Sequence, residues 1–223
     1  MTSTNAGHYH TTVIVREWLD QETYTLTCNR PQGFSFQAGQ YVSLVYAGEE
    51  REYTLISSPE DQVVRFLIKR LDGGRLSGAL AGIELGTQLK MSPAKGYLIY
   101  RPTDRPVLFV ANGVGIAPFV AMAFAGCTGF TLLHGARTSS GLHFRKTLMR
   151  AAGCYIPCLS EMQGDSADLP HLFRGRVTEY AAQVLPSDRY DVYLCGSRSM
   201  ITAMILLLDQ RCPEVRIYSE AYS

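Results

Sequence analysis

The sequence has no apolar run long enough to cross a bilayer. Its most hydrophobic stretch, Met200 to Leu208, falls far short of the roughly 20 residues that a spanning helix needs. The polar segment from Met1 to Thr12 has no apolar centre of the kind a secretory leader carries, so a cytoplasmic protein without membrane insertion is expected. An excess of one charge is missing too: 21 Lys and Arg stand against 20 Asp and Glu, a formal net charge of +1. That balance gives no long-range pull toward nucleic acid or an anionic membrane. Metal-ligand spacing is equally absent. Cys28, Cys127, Cys154, Cys158, Cys195 and Cys212 include no CxxC pair and none of the tight clusters that hold iron–sulfur centres. Cys154 and Cys158 come nearest, but on a strand they would stand about 13 Å apart, and Pro157 opposes the helix that would bring them together. His8 and His10 sit close to a chain terminus, a poor place for a metal site. No bound metal is expected, and the cysteines read mostly as buried thiols. Repeats and low-complexity segments are lacking as well.

What is present falls into two halves with different patterning, and 223 residues are enough for two compact domains. From Tyr9 to Tyr100, short β-rich segments alternate with turns. Val13–Val15, Tyr24–Thr27, Tyr41–Tyr46, Tyr53–Ile56, Val63–Ile68 and Gln88–Met91 carry β-branched and aromatic residues. Gly33, Gly39, Gly48, Gly73-Gly74, Gly86 and Pro93 punctuate them. Six short strands in this space predict a closed or nearly closed antiparallel barrel, with one short helix from Ser77 to about Ile83. After Arg101-Pro102 the pattern becomes strand–helix alternation. Strands are predicted at Val107–Ala111, Phe130–His134, Tyr155–Leu159 and Tyr190–Cys195, and helices at Ala117–Ala125, Phe144–Ala152, Val177–Val184 and Ser199–Arg211. In the last helix Ile201, Met204, Ile205 and Leu208 form an i, i+3, i+4, i+7 stripe. The expected fold is therefore an antiparallel β-barrel domain, residues 1–102, followed by an α/β parallel-sheet domain, residues 103–223, with ligands beyond the carboxyl ends of the parallel strands.

Three local patterns carry chemistry. In Arg51-Glu52-Tyr53-Thr54, followed by Ser57-Ser58-Pro59, strand alternation puts a guanidinium and an aromatic ring on one face, able to hold a phosphate and a ring system. A surface Arg–Tyr ladder would give the same pattern. In Gly74-Arg75-Leu76-Ser77, a glycine permits close backbone approach and a helix start offers free N–H groups to an anion; an ordinary glycine turn with a serine cap is the plainer alternative. Gly113-Val114-Gly115-Ile116-Ala117-Pro118 directly follows an apolar strand. Its glycines allow a tight turn and approach to a pyrophosphate, and Pro118 suits a first helical turn.

Taken in order, these patterns resemble the ferredoxin–NADP reductase family. Arg51-x-Tyr53-Thr54 is similar to its flavin motif, Gly74-x-x-Ser77 to its pyrophosphate motif, and Phe36-x-Ala38-Gly39-Gln40-Tyr41 to the strand before them. Gly113-x-Gly115-Ile116-Ala117-Pro118 is similar to the GTGIAP element, with Val114 where threonine is usual. His134-Gly135-Ala136-Arg137, Gly175-Arg176-Val177, Cys195-Gly196-Ser197 with Met200, and the ending Ser219-Glu220-Ala221-Tyr222-Ser223 keep the family's order. The resemblance implies an FAD-binding barrel and an NAD(P)H-binding α/β domain. By it, Arg51 and Ser77 hold the FAD pyrophosphate together with the Gly74-Arg75-Leu76 turn, Tyr53 packs on the isoalloxazine, and Thr54 approaches flavin N5. Backbone groups of Ile68, Lys69 and Arg70 line the flavin. Gly113, Val114, Gly115, Pro118, Arg137, Arg176, Gly196 and Met200 receive the nicotinamide nucleotide, Cys195 lies beside its ring, Tyr222 stacks on the flavin, and Glu220 is a nearby proton or hydrogen-bonding group.

The implied activity is flavin-dependent NAD(P)H oxidoreduction, with FAD as cofactor and a separate ferredoxin, flavodoxin or other redox protein as partner. Thr54, Cys195 and Glu220 are the expected catalytic residues. A reductase component of an oxygenase, a free flavin reductase and a non-catalytic FAD-holding subunit are the alternatives. The nucleotide is left open: Arg137, Arg145, Lys146 and Arg176 could grip a 2′-phosphate, whereas Glu161 would repel one. Lys69, Arg70 and Arg75 could steer an acidic partner, or simply form a solvated charged face.

Overall fold

The computed structural model describes residues 7–161, 169–212 and 214–222, and the fold divides into two units between Ile99 and Tyr100. The first unit contains strands β1 (Tyr9–Trp18), β2 (Thr23–Asn29), β3 (Tyr41–Tyr46), β4 (Glu49–Thr54) and β5 (Val63–Lys69), helix α1 (Arg75–Ala81) and strand β6 (Gln88–Met91). Its sheet runs β4-β3-β6-β1-β2-β5 with antiparallel neighbours. A bridge between Leu55, just past β4, and Phe66, in the middle of β5, links the two outermost strands, so the sheet curls into a nearly closed barrel, as the run of short strands predicted. Val13, Leu26, Val42, Leu44, Phe66, Ile68, Leu89 and Met91 fill its interior.

The largest departures from the predicted spans in the barrel are in β1 and β4. β4 begins at Glu49 rather than Tyr53, because Ala47 and Gly48 both take positive φ, 52° and 79°. That is the backbone of a two-residue hairpin, and it forces Tyr46 to pair with Glu49. The acidic residues Glu49, Glu50 and Glu52 have little strand propensity, and pairing with β3 overrides it. β1 extends well beyond Val13–Val15, with a register shift between Val13 and Val15 that leaves Ile14 exposed between them. α1 starts two residues before Ser77, with Gly74 as its N-cap.

The second unit is a parallel sheet in the order β10-β9-β8-β7-β11-β12. Its elements are β7 (Val107–Asn112), α2 (Ala117–Phe124), β8 (Thr131–Ala136), α3 (Arg145–Ala151), β9 (Cys154–Leu159), β10 (Phe173–Arg174), α4 (Val177–Gln183), β11 (Asp191–Ser197), α5 (Arg198–Arg211) and β12 (Arg216–Tyr222). The predicted stripe on α5 faces the sheet: Ile201, Met204 and Leu208 are buried with Val110, Val192 and Leu194. β10 has two residues and no compositional signal, and the sequence did not reveal it. The start of the unit is tied to its own sheet, where the Arg101 backbone N–H donates to Tyr193 Oη at 3.1 Å. The Arg101 guanidinium lies 4.8 Å from the centre of the Tyr218 ring, which in turn stacks on Tyr193 at 4.7 Å.

Two buried polar features belong to this unit. Arg105 and Asp191, 11% and 3% exposed, approach to 3.2 Å between Nε and Oδ1. Contact at that distance is not aligned as a hydrogen bond, since Oδ1 has no such partner. On the other side of the same sheet from the α4–α5 core, His134 is fully buried, with Nδ1 2.9 Å from Tyr155 Oη and Nε2 without a partner. Burial, with a smaller contribution from His143, pulls its imidazole down to about 3. A histidine depressed in the folded state binds its proton only after unfolding, so stability is full above pH 6.5 and is lost as pH falls toward 3. His134→Gln should remove this sensitivity. Between pH 7 and pH 5 the wild type is expected to lose about 2 kcal/mol more than the variant in urea titrations; equal losses would show that the imidazole does not titrate in this way.

Among the described residues no helix is long and apolar enough to cross a membrane. Nor does any group of three His, Cys, Asp or Glu side chains among them converge as metal ligands.

Candidate functional site

In the barrel, strand alternation puts Glu49, Arg51 and Tyr53 on one face of β4. The Glu49 carboxylate reaches Arg51 Nη2 at 3.4 Å and Arg75 Nη1, at the start of α1, at 3.0 Å. Two guanidinium groups from separate elements thus already share one anion, and a pyrophosphate has the charge to take its place. The first turn of α1 holds no acidic residue and its N-cap Gly74 offers no side-chain cap, so its leading N–H groups stay available to an anion. A Cβ on Gly74 would meet Ser77 Oγ at 2.6 Å and Leu71 Cβ at 2.9 Å. Glycine here is therefore a packing requirement, not a matter of φ. Ser77 is buried, and its Oγ accepts the Leu71 N–H at 3.2 Å, pinning the turn and leaving its O–H free to donate. Leu76 anchors the helix in the core.

Tyr24, missed by the sequence reading, positions the same helix: its Oη donates to the Ser77 carbonyl at 2.8 Å. Burial pushes the Tyr53 hydroxyl up to about 12 against the opposing pull of Arg51. Thr54 is buried at the end of β4, paired with Tyr41, and Ile68 is buried in β5. The three cations considered for steering are each engaged. Lys69 pairs with Glu22 at 3.0 Å, Arg75 pairs with Glu49, and the Arg70 guanidinium sits 5.4 Å from the Trp18 ring centre.

In the second unit the strand order reverses between β7 and β11, and ligands of open parallel sheets bind beyond such a reversal. Gly113–Ile116 forms a 3-10 turn leading into α2, with Gly113 at φ 56°, a conformation that glycine accepts without strain. Gly115 has a different reason to be glycine, because a Cβ there would stand 2.3 Å from the Cys195 carbonyl oxygen. Val114 is half-buried, and Pro118 occupies the first turn of α2, which has no acidic residue and no side-chain cap. Asn112, also missed, spans the reversal: Oδ1 accepts the Ser197 N–H at 2.9 Å and Nδ2 donates to Ser197 Oγ at 3.0 Å. Met200, in the first turn of α5, donates its N–H to Ser197 Oγ, the helix N-cap, at 3.4 Å. Asn112 and Ser197 lie 85 residues apart in the chain, so no local pattern announces their bonds.

Cys195, beside Ala111 on one strand and Glu220 on the other, is wholly buried. Burial pushes its thiol up, the Glu220 carboxylate pushes it further, and hydrogen bonds from Tyr222 and the Gly196 backbone oppose the rise. At neutral pH it is a thiol and not an activated nucleophile. Glu220 and Tyr222 belong to β12, half-buried and paired with Cys195 and Ser197; Ser223 lies outside the described residues. Farther along the carboxyl edge, Arg137 Nε pairs with Glu161 Oε1 at 2.9 Å. Arg176 is the N-cap of α4, its N–H received by Glu179 Oε2 at 2.9 Å. The two residues set against each other in the nucleotide argument are thus direct partners.

Residues 12–100 match the family model of the oxidoreductase FAD-binding domain, and residues 109–205 that of the oxidoreductase NAD-binding domain. The chain is 28% identical over 211 residues to the reductase component of propane 2-monooxygenase from Rhodococcus jostii (strain RHA1), covering 86% of this chain and 57% of that protein. It is 30% identical over 184 residues to the toluate 1,2-dioxygenase electron transfer component from Pseudomonas putida, covering 76% and 53%. The chain therefore spans little more than half the length of these relatives. Among solved structures, a cytochrome P450 reductase from Amycolatopsis superposes with a TM-score of 0.81 at 26% identity, over 96% of this chain and 69% of that one. A ferredoxin NADP+ reductase from Neisseria gonorrhoeae with bound FAD and NADP gives 0.79 over 96% and 99%, and its 18% identity makes this a likeness of fold. With its barrel matched as the FAD-binding half and its parallel sheet as the NAD-binding half of one architecture, the chain belongs to the ferredoxin–NADP reductase family.

Proposed function

We propose that this chain is an FAD-dependent oxidoreductase that takes reducing equivalents from NADH or NADPH and hands them to a separate one-electron carrier such as a ferredoxin or flavodoxin. The carrying observation is the convergence of the Gly113–Ile116 turn, Cys195 and Glu220 at the strand-order reversal, although they come from distant parts of the chain. FAD, when bound, supplies the conversion of a two-electron donor into one-electron steps. Arg51 and Arg75 would take the charge of its pyrophosphate, with the Ser77 hydroxyl and the leading N–H groups of α1 as donors, and Tyr53 and Thr54 would contact its ring. Gly113, Gly115, Gly196 and Met200 would border the nicotinamide nucleotide, with Cys195 and Glu220 beside its reacting end. A nicotinamide donor fits a cytoplasmic site of action, as do unpaired thiols such as Cys28 and Cys158.

The test is to load the purified protein with FAD, add NADH or NADPH without oxygen, and follow the visible flavin absorbance. Loss of absorbance supports the reading; an unchanged spectrum with both nucleotides would reject it in favour of an FAD-holding subunit. A second reading, a reductase serving an oxygenase, is favoured by the relatives named as components of such systems. Reduction of a panel of small redox proteins and oxygenase components by the loaded protein separates the two.

Glu161 inclines the proposal toward NADH. It pairs with Arg137 and so takes up a cation that a 2′-phosphate could otherwise use. Glu161→Ser is expected to raise kcat/KM for NADPH relative to NADH about tenfold, the equivalent of about 1.4 kcal/mol. An unchanged ratio in steady-state assays would remove this pair from nucleotide choice.

A further inference from the structure

We infer that Asn112 is a positioning residue that sets the Cys195–Gly196–Ser197 loop for productive contact with the nicotinamide nucleotide. This rests on the oxidoreductase reading above. The β7–β11 ladder ends at the Ala111–Cys195 pair, so beyond that point the two strands have no backbone pairing to hold them. The Asn112 carboxamide takes over. Its oxygen accepts the Ser197 N–H at 2.9 Å and its nitrogen donates to Ser197 Oγ at 3.0 Å. Ser197 Oγ then accepts the Met200 N–H at 3.4 Å and opens α5.

The residue between is shaped to this clamp. Gly196 takes φ 151°, and a Cβ on it would lie 2.0 Å from Asn112 Oδ1. The carboxamide therefore occupies the space where a side chain at 196 would go. From the same turn, Gly115 closes on the Cys195 carbonyl, with only 2.3 Å from its ideal Cβ position to that oxygen. Cys195 is held from both sides, by Gly115 on its own carbonyl and by Asn112 through Ser197. The Asn112 backbone is extended, φ −135° and ψ 143°, a conformation open to any residue. Nothing at position 112 requires an amide except the bonds its side chain makes.

The effect should fall on the reacting geometry, since small displacements of a positioned group cost large factors in rate. In the FAD-loaded protein, Asn112→Ala is expected to lower the limiting rate of flavin reduction at saturating nucleotide by at least about tenfold. Two further measurements separate positioning from damage. ADP-ribose, which lacks the nicotinamide, should bind within about twofold of wild type by calorimetry, and the Ser197 amide should exchange hydrogen about tenfold faster once its acceptor is gone. A limiting rate equal to wild type, a fall in ADP-ribose affinity parallel to the rate, or an unchanged Ser197 exchange rate would each overturn the inference. A wild-type protein that no nicotinamide nucleotide reduces would overturn the functional reading with it. A wild type that is reduced, matched by the variant, overturns the role of Asn112 alone.

Discussion

Gly115→Ala is expected to slow nicotinamide-dependent flavin reduction by about 100-fold or more while FAD uptake stays intact. The three atoms nearest to such a methyl group are all backbone: the Cys195 oxygen at 2.3 Å, Gly196 Cα at 2.6 Å and the Cys195 carbonyl carbon at 2.7 Å. No side chain can rotate away. The Gly113–Ile116 turn and the end of β11 must instead move apart, and relief of overpacking of this kind costs about 1–3 kcal/mol. Cys195 is paired to Glu220 in the β11–β12 ladder, so the contact proposed between Cys195 and the nucleotide would be disturbed at once. FAD contacts proposed for Arg51, Arg75 and Ser77 belong to the barrel unit and are untouched. Stopped-flow reduction together with the ratio of FAD to protein measures both sides of this expectation. A near-normal rate would mean that the close approach of Gly115 to Cys195 has no part in the reaction.

The other large effect concerns stability. Arg105→Met leaves the Asp191 carboxylate, 3% exposed, without its buried cation. An uncompensated buried charge costs about 3–5 kcal/mol. The exposed Arg216, 4.0 Å from the other carboxylate oxygen, is too well solvated to replace it. Arg105 also donates to the carbonyls of Arg189 and Tyr190, at 3.2 and 3.3 Å, and to that of Glu214. It thus ties the entry into β11 to the entry into β12. The double variant Arg105→Met/Asp191→Leu should regain the part of the loss that comes from the stranded carboxylate, but not the part from the three carbonyls that Arg105 serves. Urea denaturation of the three proteins tests this; a single variant within about 1 kcal/mol of wild type would show that the ion pair contributes little.

Much of the fold could be read in the sequence because its signals are local. The β-branched and aromatic composition of β3 and β5 and the stripe Ile201, Met204, Leu208 on α5 are set by neighbours a few residues apart in the chain. The same holds for the Gly113-to-Pro118 turn, where a strand, two glycines and a helix start follow one another directly. Where the pattern was misread, a pairing partner had overridden local preference. The charged residues Glu49 and Glu50 lie outside the predicted Tyr53–Ile56 strand, yet the Ala47-Gly48 hairpin binds them to β3, and that hairpin also puts Glu49 beside Arg51. The engagement of Lys69, Arg70 and Arg75 with Glu22, Trp18 and Glu49 depends on strand neighbours that a linear reading does not provide.

By itself the sequence determined the order of barrel and parallel sheet, the motifs that mark two nucleotide-binding units, and the residue types able to meet phosphates and rings. Only the tertiary structure decided that Gly115 is needed for its contact with Cys195, that Asn112 clamps Ser197, that Tyr24 holds Ser77, and that Arg137 and Glu161 neutralise each other. The physical reason is range. Propensity and periodicity act over a few residues of chain, whereas excluded volume, hydrogen bonds and ion pairs act over a few ångströms of space, whichever residues the fold has brought there.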